Sequence, residues 1–210
     1  EDSELETFCD SSLSSSGIKE LSIPSKVCKF GKDWCFNTEF LNKIFLSPKN
    51  TNLAYSDETK KIIVGKLKRN DNVFNNLVFA CRDVVDAVIP TSIECIDSSS
   101  FNCSRINCIF IPKKVNTISN RAFGACKCLK KVYFPIDSEL KKIDFFGFAF
   151  SSIENITIPM KTEVIENQVF YFCKSLSSFE CLSNSIKIGR SCFVKCANLC
   201  IAAFPAAQNV

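Results

Sequence analysis

Cysteine is the chemistry-bearing residue that stands out in this 210-residue sequence, which has fourteen cysteines and no histidine. A cysteine nucleophile normally needs a neighbouring base, most often histidine. Structural zinc sites normally pair Cys-x-x-Cys units or combine cysteine with histidine. The closest spacings here are Cys126-Lys127-Cys128 and Cys192-x-x-x-Cys196, and neither is such a unit. We therefore expect no catalytic residue, no metal site and no cofactor.

Paired carboxylates are the other candidates for chemistry, as in Asp57-Glu58 or Glu163 with Glu166. Acid–base catalysis needs a pocket that shifts the pKa of such groups. The first pair lies in a polar turn and the second on the return path of a repeat, so solvated surface charge is expected. The six glycines are isolated and form no phosphate-binding loop. The sequence predicts a non-enzyme without a small-molecule substrate.

Charge and hydropathy exclude two further classes of protein. The formal net charge is +4, and lysine and arginine are scattered, whereas a nucleic-acid-binding protein usually gathers them on one stripe. No apolar run approaches 18 residues, so membrane attachment would require segments outside this chain. At 46% apolar residues the chain can fill a core. We expect a protein or other macromolecule as the partner, and no nucleic acid.

Proline spacing shows that the chain is built from repeats, which must be recognised before any fold is assigned. The intervals between successive prolines are 24, 42, 22, 23, 24 and 46 residues. The last interval equals two repeats of 23 residues, and the interval of 42 equals one repeat plus about 19 inserted residues. The prolines are Pro24, Pro48, Pro90, Pro112, Pro135, Pro159 and Pro205.

One copy of the repeat shows the full pattern of apolar residues. It reads Ile106-x-x-Ile109-x-Ile111-Pro112-x-x-Val115-x-x-Ile118-x-x-x-Ala122-Phe123-x-x-Cys126-x-x-Leu129. Alternation before the proline predicts a short half-buried strand, and the proline ends it because it has no N–H to donate. A single copy cannot bury these groups, so copies must stack, and strands that recur in one direction form a parallel sheet.

Cysteine recurs at one position of this template. We expect Cys81, Cys126, Cys173 and Cys196 to form a buried column of small apolar side chains. Neighbouring coils about 4.8 Å apart would be close enough for a disulfide. Side chains in one column point in parallel, however, which favours reduced thiols over disulfides.

The frame I-P-x-x-V-x-x-I-x-x-x-A-F-x-x-C-x-x-L resembles the BspA-like leucine-rich repeat family over about residues 17 to 206. The resemblance implies a right-handed, curved solenoid with short parallel β-strands on its concave face. Short strands, turns and 3-10 or short helical segments would form the return path. The family occurs in surface proteins of anaerobic bacteria and parasitic protists, where it is associated with adhesion.

We expect residues 1–210 to form a single leucine-rich-repeat solenoid of about seven to eight repeats of 22–24 residues, incomplete at both ends. An insertion at about residues 49–67 has the pattern of a β-hairpin, with Leu53 and Tyr55 alternating before a polar turn and Ile62 to Val64 following it. The alternative is a decorative excursion with no contact role.

The residue between the two isoleucines of each strand should point away from the core. An apolar column of Phe45, Val88, Phe110 and Tyr133 is therefore expected on the open face, bordered by the lysines Lys43, Lys130 and Lys131. Exposed apolar stripes often mark interaction sites. Cross-strand stacking is the alternative explanation, because sheets favour aromatic residues without any ligand.

The predicted function is a non-catalytic binding or adhesion module, part of a cell-surface or secreted protein that binds host or microbial macromolecules through its concave sheet. One alternative is a cytoplasmic leucine-rich-repeat scaffold using the same face. Another is a structural element within a larger assembly.

Overall fold

A computed structural model describes residues 3–205. The short strands recur through the whole of that range. They are β1 (Thr7–Phe8), β2 (Glu20–Ile23), β3 (Lys29–Phe30), β4 (Lys43–Leu46), β5 (Leu53–Tyr55), β6 (Ile62–Gly65), β7 (Asn76–Ala80), β8 (Cys95–Ile96), β9 (Cys108–Phe110), β10 (Thr117–Ile118), β11 (Lys131–Tyr133), β12 (Lys142–Ile143), β13 (Asn155–Ile158), β14 (Val164–Ile165), β15 (Ser178–Cys181), β16 (Lys187–Ile188) and β17 (Ile201–Ala203). The predicted parallel solenoid is confirmed.

Most coils contribute one strand to each of two stacked ladders. The front ladder consists of a two-stranded sheet, β2-β4, and a five-stranded sheet in the order β17-β15-β13-β11-β9. The back ladder consists of a two-stranded sheet, β1-β3, and an eight-stranded sheet in the order β16-β14-β12-β10-β8-β7-β6-β5. All neighbouring strands of the front ladder are parallel, as expected when each coil repeats the path of the previous one.

Alternation in the front strands separates the core from the open face. In β9 the side chain of Ile109 is buried while those of Cys108 and Phe110 are exposed. The same arrangement recurs in β11, where Val132 points inward. Pro112 follows β9 after one further buried residue and ends the strand, because proline cannot donate to the ladder. The period-2 pattern of the sequence therefore sets which side chains a partner can reach.

The expectation of 3-10 or short helical segments on the return path is wrong: between residues 3 and 205 the return path contains strands and turns, with no helix. Each turn has two non-glycine residues with positive φ four positions apart, such as Arg121 (53°) and Ala125 (56°). Positive φ is incompatible with a right-handed helix. The turn N–H groups bond to the next coil instead, as from Phe123 N to Gly147 O at 2.8 Å.

These stacked turns form a third surface, which we call the turn face. Its turns share the pair of positive-φ residues and lie at residues 11–15, 33–37, 99–103, 121–125, 146–150, 168–172 and 191–195. Phenylalanine stands at the centre of the last five of these turns, and the rings stack in one column with centroids 5.1 to 5.7 Å apart. The members of this column are Phe101, Phe123, Phe148, Phe170 and Phe193.

The template cysteines follow these rings and donate hydrogen bonds. The thiol of Cys126 donates to the carbonyl of Phe101 at 3.0 Å, and Cys173 donates to Phe148 at 3.1 Å. Cys196 repeats the contact. Burial raises the pKa of Cys126 and of Cys173 to about 12. The thiols of this column are therefore neutral hydrogen-bond donors, in addition to filling space.

Serine replaces cysteine in two turns of this column: Ser104 and Ser151 occupy the equivalent position and lie 3.5 Å from Cys126 and Cys173. All fourteen cysteines of the chain are free thiols in the structure. The expectation that Cys81 belongs to the column is wrong, because Cys81 follows β7, where the positive-φ turn is missing.

The predicted hairpin is present, and the alternative of a decorative excursion with no contact role is wrong. Strands β5 and β6 pair antiparallel, and β6 pairs antiparallel with β7, so the hairpin extends the back ladder. Every residue of β6 is buried. Ile62 packs into the large core of the later coils, while Leu53 and Ile63 pack into the smaller core of the first coils. The insertion thus connects the two cores.

The coil that carries the hairpin lacks its turn, and an arginine fills the space. Between β7 and Ile89 no residue has positive φ. Arg82 lies there with 1% of its surface exposed. Its guanidinium donates to the carbonyls of Ser100 at 2.8 Å and Cys35 at 3.0 Å, and lies 4.5 Å from the ring centroid of Phe79. Arg82 therefore bridges turns 33–37 and 99–103, which the missing turn would otherwise have separated.

Side chains complete the backbone pairing across this gap. The N–H of Asp33 donates to Ser98 Oγ at 3.0 Å, and the N–H of Asn37 donates to Asn102 Oδ1 at 2.9 Å. The carboxylate of Asp33 accepts hydrogen bonds from Ser98 and from Asn120 and forms an ion pair with Arg121. Side chains thus satisfy these backbone N–H groups and the carboxylate of Asp33, whereas Arg82 Nε, Ser100 Oγ and Asn120 Oδ1 are buried there without a hydrogen-bond partner.

Candidate functional site

The open face of the front ladder contains a pair of exposed aromatic residues. Phe110 and Tyr133 lie directly opposite each other on β9 and β11 and are 57% and 48% exposed. Phe45 is also exposed, but its strand β4 pairs with β2 in a separate sheet, opposite Ser22. Val88 is 79% exposed and lies outside every strand. Strand pairing therefore brings Phe110 and Tyr133 together and does not form one stripe from Phe45 onward.

The break has a structural cause: the hairpin coil has no front strand. Its backbone passes through Arg82 and a turn, and the next front strand is β9. The sequence pattern around Val88 resembles the strand template, but the chain there is irregular. Spacing alone could not show this, because the loss of a strand leaves the apolar pattern intact.

Lys43 and Lys131 lie on the exposed side of β4 and β11, Lys130 directly precedes β11, and two of these three lysines form ion pairs. Lys43 donates to Glu20 at 2.8 Å, and this hydrogen bond raises the pKa of Lys43. Lys130 lies 3.4 Å from Glu154. Lys131 is exposed on β11, opposite Cys108. Glutamates compensate much of the expected positive border, so apolar contact dominates the face.

A groove of about 350 Å³ continues from Tyr133 past the carboxyl ends of β11 and β13. Ile136, which is 87% exposed, forms one wall. The groove is lined by Val132, Tyr133, Phe134, Pro135, Ile136, Asn155, Thr157, Pro159 and Leu182. Sequence reasoning did not select Ile136 as a site residue. The available signal was the pair of extra residues between Ile136 and Leu140, which enlarges this turn and pushes the isoleucine outward.

Polar side chains form the far side of the groove. Thr157 donates to Glu180 across β13 and β15 at 2.9 Å, and Asn155 is exposed beside it. The groove therefore combines an apolar wall with a few hydrogen-bonding groups, which is typical of a recognition surface.

The other candidates for chemistry are dispersed. Asp57 lies in the hairpin turn, where hydrogen bonds from Thr59 hold the pKa of its carboxyl below the usual range. Within residues 3–205, no three side chains of the Cys, Asp or Glu type are arranged to hold a metal ion. No helix of this described range is long and apolar enough to cross a membrane.

The stacked parallel coils define a leucine-rich-repeat solenoid. The family model for the BspA type leucine rich repeat region matches six copies, over residues 66–143 and 102–209. The chain belongs to this family. No curated protein sequence matches it.

Solved structures share the fold at low sequence identity. A leucine-rich cell-surface protein from Faecalibacterium prausnitzii A2-165 superposes with a TM-score of 0.82 at 19% identity, over 97% of this chain and 52% of that protein. The pneumococcal vaccine antigen PcpA gives 0.62 at 18% identity, over 99% and 51%. A leucine-rich repeat protein from Bacteroides ovatus ATCC 8483 gives 0.56 at 20% identity, over 95% and 41%. The chain spans about half the length of these proteins or less.

Proposed function

We propose that this chain binds another protein non-covalently through the open face of its front ladder. The observation that supports this is the exposed apolar cluster of Phe110, Tyr133 and Ile136, which continues into the groove. Large exposed apolar clusters are rare on soluble proteins unless something binds there. We define these three residues as the front-face cluster. Neither a nucleic acid nor a small substrate fits its apolar character and mostly compensated charge.

Rigidity makes the front-face cluster a suitable anchor. Phe110 and Tyr133 extend from strands whose inward neighbours, Ile109 and Val132, are buried in the stacked core. Side chains fixed by such a scaffold lose little conformational entropy on binding. Aromatic anchors at the centre of an interface commonly contribute about 2 kcal/mol or more each.

Surface display and adhesion form the more specific part of the proposal. Two solved relatives of this fold are described as a cell-surface protein and a vaccine antigen. We propose the same location for the protein that contains this chain, with host or microbial macromolecules as ligands.

A cytoplasmic scaffold is the second candidate, and one observation favours it. All fourteen cysteines are free, and Cys9, Cys108, Cys128 and Cys200 among them are exposed. Secreted proteins more often oxidise such thiols to disulfides. Mass mapping of the native protein under non-reducing conditions separates the two locations: modified or bridged exposed thiols support surface display, and fourteen free thiols support the cytoplasm.

Affinity capture with the full chain tests the binding face. Wild-type protein should retain a partner that the double variant Phe110→Ser, Tyr133→Ser loses, because both side chains are exposed and their replacement leaves the core intact. Phe40→Ser is the matched control, since Phe40 is equally exposed but lies outside both ladders. Equal capture by the double variant and the wild type, with unchanged circular dichroism, would show that the proposed face is wrong.

A further inference from the structure

The turn face contains a second pocket, which is formed by the turns of the repeats and not by the strands of the front ladder. It has a volume of about 150 Å³. The lining residues are Phe36, Asn37, Asn102, Arg121, Gly124, Ala125, Phe146, Ala149 and Phe150. Since the sequence pattern assigns these positions to return-path turns, they had no predicted role in binding.

Small residues in neighbouring turns create this pocket. Cys103, Ala125 and Phe150 are the second positive-φ residues of successive turns, so the residues just before Ala125 and Phe150, which are Gly124 and Ala149, are neighbours in one column of the turn face. The next member of that column is Tyr171, which directly precedes the positive-φ residue Phe172. A run of small side chains therefore ends at a large one, and Gly124 and Ala149 leave a depression between aromatic walls.

The missing turn of the hairpin coil supplies the opposite wall. Because turn 33–37 lies directly against turn 99–103, the ring of Phe36 reaches Arg121, whose guanidinium lies 4.9 Å from its centroid. The same guanidinium lies 4.9 Å from the centroid of Phe146. Arg121 is held by its ion pair with Asp33. The pocket is thus enclosed by aromatic groups on two sides and is fixed in place by an ion pair.

Polar groups in the pocket wall already have partners. The amide of Asn102 donates to Gly124 O at 2.8 Å and accepts from the N–H of Asn37. Asn37 in turn donates to Ser15 at 3.2 Å. A ligand in this pocket therefore replaces few hydrogen bonds, and an apolar group fits it best.

A lysine lies at the rim, Lys127, which also lines an adjoining depression together with Glu39 and Asp83. Lys127 is exposed, donates to the carbonyl of Phe150 at 2.8 Å, and lies 5.8 Å from the centroid of that ring. The residues that line the pocket include two amides and one guanidinium and no carboxylate. A carboxylate of a ligand placed beside Phe150 would therefore meet the ammonium group of Lys127 without a competing acid in the pocket.

We propose that this turn-face pocket binds one aromatic side chain of a partner protein, with an acidic residue of the same partner beside Lys127. The volume decides between ligand classes: drug-sized ligands occupy about 300–1,000 Å³. An apolar cavity of about 150 Å³ holds a single benzene ring. An anchoring side chain matches the turn-face pocket, and a larger free metabolite does not.

Methyl NMR of the full chain tests the proposal, because Ala125 and Ala149 carry reporter groups in the pocket. The probe is the blocked peptide acetyl-Asp-Phe-Asp-amide, and acetyl-Asp-Ala-Asp-amide is its control. We expect saturable shifts of both alanine methyls with the first peptide, at a Kd of about 1 mM for a ligand with one anchoring ring. The control peptide should cause none. Absence of saturable shifts, or equal shifts with both peptides, would overturn the proposal.

Three variants locate the binding. Phe150→Ala removes one wall of the pocket and should raise the Kd of the phenylalanine peptide about tenfold or more. Phe172→Ala is the matched control, because Phe172 occupies the same turn position one coil later and lies outside the pocket. Lys127→Gln should weaken the acidic peptide at low salt and have little effect near 1 M salt. Unchanged affinity in Phe150→Ala, or equal loss in Phe172→Ala, would show that binding occurs elsewhere. No effect of Lys127→Gln would reject the acidic partner.

Discussion

Replacing Arg82 with alanine should destabilise the junction between the two cores. The guanidinium is fully enclosed and donates to carbonyls on both sides of the missing turn, at Cys35, Ser99 and Ser100. Hydrogen bonds from a charged donor contribute about 1.5–3 kcal/mol each. The desolvation of a buried cation, which is several kcal/mol, opposes them.

The net effect follows from what alanine leaves behind. A cavity replaces the long side chain, and large-to-small changes in a core cost about 2–5 kcal/mol. The carbonyls of Cys35 and Ser100 keep one other hydrogen bond each, from Thr38 and Ala80, so they are only partly deprived. We expect Arg82→Ala to lower the free energy of unfolding by about 3–5 kcal/mol.

Urea unfolding followed by tryptophan fluorescence measures this directly. Trp34, the only tryptophan, is buried in turn 33–37 and lies 5.8 Å from the ring of Phe79. Arg105→Ala is the control, because Arg105 lies one coil later, where its N–H donates to the carbonyl of Arg82, but its side chain is exposed. This variant should change the free energy of unfolding by less than about 0.5 kcal/mol. A loss below about 1 kcal/mol in Arg82→Ala would refute the bridging role.

Three further predictions concern the core. Cys126→Ser should lower the free energy of unfolding by less than about 1 kcal/mol, because serine fills this column in other coils. Cys126→Val should lower it by about 1–3 kcal/mol, because valine overpacks the site and removes the donor to the carbonyl of Phe101. Urea unfolding of the two variants distinguishes these values. Burial raises the pKa of Cys126 and Cys173 from about 9 to about 12. Between these pH values only the thiols of the unfolded chain ionise, so the free energy of unfolding should fall as pH rises from 9 towards 12. A free energy of unfolding that stays constant over that range would contradict this. Ile63→Ala should lower the free energy of unfolding by about 2–5 kcal/mol, because the hairpin is part of the core. Urea unfolding measures this change, and a loss near zero would show that the hairpin does not contribute to stability.

The repeat and the hairpin were predictable because both leave regular patterns. Proline spacing located the front strands of most coils, since a proline close after a strand ends its hydrogen-bonded ladder. Leu53, Tyr55 and the β-branched residues after Lys61 predicted the hairpin, because alternation around a polar turn has few other solutions. These features depend on local sequence.

Non-local features could not be predicted from sequence. An arginine normally indicates a solvated position, so the burial of Arg82 follows only from the missing turn. Positive φ at residues such as Arg121 and Phe146 has no sequence signal, because glycine, the usual indicator, is absent there. The prediction of helical segments was wrong because these positive-φ residues could not be recognised. Val88 was placed in the binding column because its spacing fits, although its coil has lost the front strand.

Side-chain footprinting of the complex tests the central claim, that the front face binds a protein. Hydroxyl radicals oxidise exposed aromatic and aliphatic side chains, and the front-face cluster is exposed in the free chain. With a captured partner bound, Phe110, Tyr133 and Ile136 should become protected, while the exposed Phe40, outside both ladders, keeps its reactivity. If the front-face cluster stays as reactive in the complex as in the free chain, the protein binds through another surface and the proposed function of this face is wrong.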